Sequence, residues 1–320
     1  MNKHLLTTAI ALTFAAAAHA APCDTTTDKT NTTPLLYSAA KGDAANVRCL
    51  LDAGESVNAA NEKGVTALWI AAGKGHADIV RLLLDKGADV GAASKNGLTP
   101  LMLAATKVPA DTVRLLLDKG ANANAAANDG ATALMMAANG YTDTVRLLLE
   151  KGAAVDATDK YGNTALIVAA LGGHTDTVRL LLEKGANVDA ASKDGLTALM
   201  YAAYKNHPDT IRALLDKGAN INATGKGGTT ALIAAALEGH ADAALALLDK
   251  GADVDAVGSD GANALMIAAQ RGHTAIVRAL LEKGANVNTA TPEGATALML
   301  AQQGKHTEIV ELLKAAGAKK

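Results

Sequence analysis

The sequence predicts an all-α solenoid built from nine copies of one helix-turn-helix unit. A pattern of Gly-x-Thr-(Ala/Pro)-Leu recurs every 33 residues, apart from one spacing of 32. Apolar residues make up 49% of the 320-residue chain and are mostly alanine and leucine, whereas aromatic residues make up only 2%. This composition suits closely packed helices better than a β-sandwich. A fixed period of this length is typical of repeat proteins, in which each unit packs on its neighbours.

Each unit carries the signals for two short helices. In the unit that begins at Gly64, the first helix is predicted over Thr66–Lys74 and the second over Asp78–Lys86. Gly75-His76 separates them, and Gly87 ends the second helix in the position that glycine prefers after a helix. Neither helix is long enough to be stable alone, so each must bury its apolar face on the next unit.

The units form one predicted domain over residues 33–320, with β-turn or hairpin-like loops between them. Polar residues enter the outer faces of both terminal units, where Asn46 replaces Ile79 and Lys314 replaces Leu84. Terminal repeats need such a polar face, so we expect the array to be capped at both ends. The predicted units are 33–63, 64–96, 97–129, 130–161, 162–194, 195–227, 228–260, 261–293 and 294–320; they are called repeats one to nine below.

Short motifs within the unit point to one known family. Thr99-Pro100-Leu101 opens a first helix, Gly75-His76 joins two helices, and Gly251–Ala256 reads Gly-Ala-Asp-Val-Asp-Ala. On these motifs the chain resembles the ankyrin repeat family over all nine units. One departure is systematic: where the family has His after Thr-Pro-Leu, this chain has Trp69 or, in later units, Met or Ile, which should leave the fold intact. The resemblance implies a concave face, formed by turn tips and first helices, on which a partner binds.

The N-terminal residues have the pattern of a secretory signal over Met1–Ala20. A lysine near the start precedes an apolar run, Leu5–Ala18, and an Ala-x-Ala site predicts cleavage between Ala20 and Ala21. The apolar run is shorter than the roughly 20 residues of a membrane span, so we expect no span in the mature chain. Residues 21–32 are polar and are predicted to form a flexible tail. The predicted location is the bacterial periplasm or the medium.

Charge and motifs exclude several classes of function. The chain has 30 Lys+Arg against 32 Asp+Glu, a formal charge of −2, so nucleic-acid binding is not expected. Catalytic and phosphate-binding motifs are missing from the sequence, so we expect no catalytic, cofactor-binding or metal-binding residues. The Arg81–Asp85 spacing, repeated in most units, predicts i,i+4 ion pairs on a solvated face. We expect a monomer.

Histidine recurs at one position of the unit. Metal binding is one interpretation of such a ladder. Packed helices lie about 8–10 Å apart, whereas two ligands of one zinc ion each need a bond of about 2.0–2.1 Å. Hydrogen bonding to the backbone at the turn between the helices is therefore favoured. The histidines are His76, His174, His207, His240, His273 and His306.

The two cysteines, Cys23 and Cys49, allow two interpretations. In an oxidising compartment a disulfide would pin the tail over the outer face of repeat one. Alternatively, Cys49 is a buried helix residue and both thiols stay free. The sequence leaves both open.

A candidate binding site lies on the predicted concave face of repeats five to seven. Aromatic and apolar side chains within a charged rim are typical of interaction hot spots, and the lysines predict a partner with an acidic surface. Variation without function, or tyrosine packing between units, would also explain the pattern. The predicted groove residues are Tyr161, Leu171, Lys193, Leu196, Tyr204, Lys205, Lys226 and Leu237.

These observations predict a non-catalytic, exported module that binds a protein partner in this groove. An alternative is an inhibitor or immunity-type protein that uses the same groove to neutralise an enzyme targeted to the cell envelope. A metal-binding protein or an enzyme is a further alternative, which the missing motifs disfavour.

Overall fold

The structure, a computed structural model, describes residues 23–27, 32–106 and 110–319. Within these segments eighteen α-helices pair into nine units, and the loops contain isolated β-bridges but no strands. The predicted all-α repeat fold is therefore confirmed. The predicted secretory signal and part of the predicted tail lie outside the described residues.

The helices alternate along the chain, with the odd-numbered one first in each repeat. A single turn of 3₁₀-helix, Lys226–Gly228, lies in the loop before α13. The bounds are α1 Pro34–Lys41, α2 Ala44–Asp52, α3 Ala67–Lys74, α4 Ala77–Asp85, α5 Pro100–Ala104, α6 Ala110–Asp118, α7 Ala133–Ala137, α8 Thr142–Glu150, α9 Ala165–Leu171, α10 Thr175–Glu183, α11 Ala198–Tyr204, α12 Pro208–Asp216, α13 Ala231–Glu238, α14 Ala241–Asp249, α15 Ala264–Arg271, α16 Thr274–Glu282, α17 Ala297–Gln303 and α18 Thr307–Ala315.

The threonine of the repeated pattern starts each first helix by capping it. The Oγ1 of Thr66 accepts a hydrogen bond from the backbone N–H of Trp69 at 3.2 Å, which satisfies a donor that has no partner within the helix. In repeat eight the capping residue is Asn263, whose Oδ1 accepts from the N–H of Met266 at 3.0 Å. The longest described helices have nine residues, less than half of the roughly 20 that a bilayer-spanning helix needs.

The core explains why the array curves. First helices meet their neighbours through small, fully buried residues such as Ala169 and Ala170, whereas second helices bury larger ones such as Leu180 and Leu181. Over repeats five to nine the first helices consequently pack more closely on one another than the second helices do. A layer of small side chains allows closer approach of helix axes. Such packing bends repeats five to nine toward their first helices, which would then lie on the concave side.

The turn tips form a continuous edge beside the first helices. The backbone N–H of Lys193 donates to the carbonyl oxygen of Tyr161 at 2.8 Å, and that of Lys226 donates to the carbonyl oxygen of Asp194 at 2.8 Å. Each tip is thus fixed by the tip one repeat away. Side chains on this edge hold a set position relative to the first helices.

On the opposite face, the predicted Arg81–Asp85 pair is wrong. Asp85 instead forms an ion pair with Lys119 of the next repeat, at an Nζ–Oδ1 distance of 2.9 Å. An arginine that precedes its acid by four residues has the less favourable order for a helical pair. The lysine also brings positive charge to the negative end of the helix dipole. The other pairs of this kind are Lys86–Asp52, Lys151–Asp118, Lys250–Asp216 and Lys283–Asp249.

Candidate functional site

A recess of about 440 Å³ opens between the first helices of repeats six and seven, α11 and α13. Side chains from both helices form its walls, and residues of the two preceding turns form its mouth. Four of the eight predicted groove residues line it. The lining consists of Asp194, Leu196, Met200, Tyr201, Tyr204, Lys226, Thr229, Ala234 and Leu237.

The other four predicted residues lie outside this lining. Tyr161 is at the turn tip that directly precedes repeat five and is 59% exposed, and Leu171 ends α9 and is 39% exposed. Lys193 is on the next turn tip, and Lys205 directly follows Tyr204. Six large hydrophobic residues are exposed in the described part of the chain, and three of them, Tyr161, Leu171 and Tyr204, belong to the predicted groove. Exposed apolar surface is thus concentrated where the sequence placed the site.

The charges around the recess are unevenly compensated. The Nζ of Lys226 lies 2.6 Å from Oδ1 of Asp194, so these two charges neutralise each other. Lys205 lies over the ring of Tyr204, with its Nζ 4.8 Å from the ring centroid. Lys160 lies over the ring of Tyr161 in the same way, at 4.9 Å. Among the described residues neither of these two lysines has a carboxylate within ion-pair distance, which leaves positive charge on this part of the groove.

Sequence reasoning missed Met200, Tyr201 and Ala234 in the lining, whereas Asp194 and Thr229 lie at turn positions that the repeat pattern places along the groove. Met200 is a buried residue of α11 and Tyr201 a half-buried one. The signal for Ala234 was present, because it is the one small residue at its position of the unit. It becomes informative only when the repeats are compared at that position.

Cys23 and Cys49 are joined by a disulfide in the structure, with their Cα atoms 5.6 Å apart. Beside it, the backbone N–H of Asp24 donates to Oδ1 of Asn46 at 2.9 Å, and Nδ2 of Asn46 donates to the carbonyl oxygen of Asp24 at 2.8 Å. Cys49 stands where the other repeats have Leu or Ala, and Asn46 stands where they have buried Ile, Thr or Ala. The segment 23–27 therefore lies on the face of repeat one that points away from repeat two.

The histidine ladder makes hydrogen bonds between repeats. Nε2 of His207 lies 3.2 Å from the carbonyl oxygen of Leu171, and Nε2 of His306 lies 3.1 Å from that of Gln270. His174 instead contacts Oδ1 of Asn139 at 3.3 Å. Burial, followed by the charge of His207, lowers the pKa of His174 below its usual value. Among the described residues no three His, Cys, Asp or Glu side chains lie close enough together to hold a metal ion.

The fold and the repeated contacts define a helical repeat protein with a groove along its first helices. A family model described as ankyrin repeats (three copies) matches residues 8–94, 87–159, 152–225, 192–258 and 233–320. The chain belongs to the ankyrin repeat family, as its motifs indicated. Ankyrin repeats are generally protein–protein interaction modules and are typically non-catalytic. A comparison with curated proteins finds no match.

Proposed function

We propose that this protein is a non-catalytic, exported interaction module that binds a protein partner in the groove of repeats five to seven. The observation that carries the proposal is the recess, lined by exposed Tyr204, together with exposed Tyr161 and Leu171 on the same predicted groove. Buried aromatic and apolar anchors within a polar rim supply most of the binding energy at protein interfaces. Because the backbone of the groove is fixed by its repeats, little conformational entropy is lost on binding.

The partner is proposed to present an acidic surface. Lys160 and Lys205 carry charge that no carboxylate among the described residues compensates at ion-pair distance. Complementary charge of this kind raises the rate of association and selects the partner. The protein is further proposed to act as a monomer, in the periplasm or outside the cell, after removal of residues 1–20.

A photo-crosslinking residue at position 204 of the full chain tests the groove, with the same residue at Arg179 on the second helix of repeat five as a control. We expect a specific protein to be captured from position 204 and not from 179. That capture should weaken when Lys205 is replaced by glutamate. Identical proteins captured from both positions would contradict the assignment of the groove. Intact-mass measurement of the exported protein tests the predicted N-terminus at Ala21.

A further inference from the structure

The recess exists because repeat seven has a small residue where every other repeat has a large one. Ala234 is the fourth residue after the capping threonine of its repeat and lines the recess. A larger side chain at this point would extend into the space that the recess occupies. The residues at the same position of the other repeats are Tyr37, Ile70, Leu103, Met136, Val168, Tyr201, Ile267 and Leu300.

A second departure, at Gly225 in the turn before α13, shapes the mouth of the recess. A Cβ atom at Gly225 would lie 2.7 Å from Cδ2 of Leu196, so Leu196 occupies space that a side chain at position 225 would need. The backbone does not require glycine there, because φ is −85°. Two other turns also lack a polar side chain at this position, where they have Ala127 and Gly258. Five turns place there a side chain that accepts the N–H four residues later: Asn61, Ser94, Asp159, Ser192 and Thr291.

Both departures work against folding stability and in favour of an open recess. Ala234 gives up apolar contacts that the other repeats make, and Gly225 gives up a hydrogen bond of the turn and adds backbone freedom to the unfolded chain. Local rules of a fold are broken most often where function requires it. The alanine at position 234, which none of the other eight repeats shares, together with Gly225 behind Leu196 of the same recess, indicates that the recess is used.

The walls and the charges indicate what enters the recess. Tyr201 and Tyr204 offer ring faces and edges, and the thioether of Met200 makes favourable contacts with aromatic rings. The volume of about 440 Å³ is near the lower end of the range of about 300–1,000 Å³ that small-ligand pockets span, so one large side chain fits it. At the mouth Lys226 is paired with Asp194. Lys205, next to Tyr204 in the chain, lies over the ring of that tyrosine and has no carboxylate within ion-pair distance among the described residues.

We propose that the recess receives one aromatic side chain of the protein partner and that a carboxylate next to that residue in the partner pairs with Lys205. The inference rests on the proposed function, since it names the part of the partner that the groove recognises. The recognised segment therefore contains an aromatic residue adjacent to aspartate or glutamate. Binding of this segment is sensitive to salt, because one of its two contacts is an exposed ion pair.

Selection from a random peptide library displayed on phage, against the immobilised full chain, tests the proposal without knowledge of the natural partner. Peptides that the protein enriches are expected to carry an aromatic residue beside an acidic one. Synthetic versions should bind at least tenfold more weakly to Ala234→Ile, and more weakly to Gly225→Ser, which pushes Leu196 into the mouth. Lys205→Gln should weaken binding several-fold and reduce its dependence on salt. Lys95→Gln, a turn-tip substitution at the end of repeat two, is the matched control and should leave binding unchanged.

The variants are chosen so that loss of binding is not loss of fold. Isoleucine occupies the position of Ala234 in repeats two and eight, and serine occupies that of Gly225 in repeats two and five. Their circular dichroism spectra and melting temperatures should match or exceed those of the parent. The proposal is overturned if no peptide is enriched, or if every enriched peptide still binds the Ala234→Ile variant. If the enriched peptides then bind Lys193→Glu more weakly, the groove still binds a partner and only the proposed aromatic side chain in the recess is wrong. If no groove substitution weakens peptide binding, the proposed function fails as well.

Discussion

Replacing Asn263 by threonine is expected to stabilise the protein by about 1 kcal/mol. Asn263 is fully buried and caps α15 through its Oδ1, which accepts the N–H of Met266 at 3.0 Å. Its Nδ2 is also buried and has no hydrogen-bond partner among the described residues. The cap fixes the orientation of the amide, so the Nδ2 group cannot turn elsewhere without loss of the cap.

The magnitude follows from what threonine would remove and keep. A buried donor without a partner costs about 1–3 kcal/mol. Threonine keeps the cap, as it does in the other eight repeats, and asparagine is better than threonine as a cap by only a few tenths of a kcal/mol. The difference leaves a net gain of about 1–2 kcal/mol, of which the lower value is expected because the side chain of threonine is smaller and fills less of the site.

Urea denaturation followed by circular dichroism at 222 nm measures this difference. At a slope of about 2 kcal/mol per M for the cooperative unit, the midpoint of Asn263→Thr should rise by about 0.5 M with the slope unchanged. The reverse change in repeat five, Thr164→Asn, is the matched control and should lower the midpoint by a similar amount. A midpoint of Asn263→Thr that stays the same or falls would refute the reasoning about the unpaired amide.

Three further outcomes are expected. Cys23→Ser should lower the stability of repeat one by about 3.5 kcal/mol, the chain-entropy value for a sequence separation of 26. The loss should be seen as faster hydrogen exchange in α1 and α2. A reductant should cause the same loss in the parent and none in the variant. Ala234→Ile should stabilise the folded protein by up to about 2 kcal/mol, because it buries three more carbon atoms in the recess. Ala235→Ile, in the closed core, should instead destabilise it by about 1–3 kcal/mol. Equal melting temperatures for the two variants would contradict this. Burial and, after it, the charge of His207 lower the pKa of His174, so the unfolded chain binds the proton more readily than the folded one. The urea midpoint should therefore fall as the pH drops through the ordinary value of 6.5. His174→Gln should flatten this dependence.

The repeat architecture could be predicted because the same signals recur in every unit. Thr66 and its equivalents predict the start of each first helix, because an N-cap is a local interaction that can be predicted from neighbouring residues. The Asp85–Lys119 pair could not be predicted in this way, since its partners are 34 residues apart and meet only when repeats stack. Within the groove, the exposed tyrosines were visible in the sequence. The recess depends on the small side chain of Ala234 and on the missing side chain at Gly225, whose space Leu196 occupies. A missing or small side chain does not form a recognisable sequence motif.

The side-chain hydrogen bonds between described residues join positions that are close in sequence, which has a consequence for the order in which the chain folds. The longest side-chain hydrogen bond between described residues, from the N–H of Ala243 to Asn206, spans 37 positions, and the disulfide spans 26. If the chain is exported as proposed, its N-terminus emerges first, and each repeat can form as soon as the next one has emerged. The order of folding would then follow the order of emergence. At each stage the last repeat formed would expose an apolar end face, which is the part of the incomplete protein most exposed to aggregation.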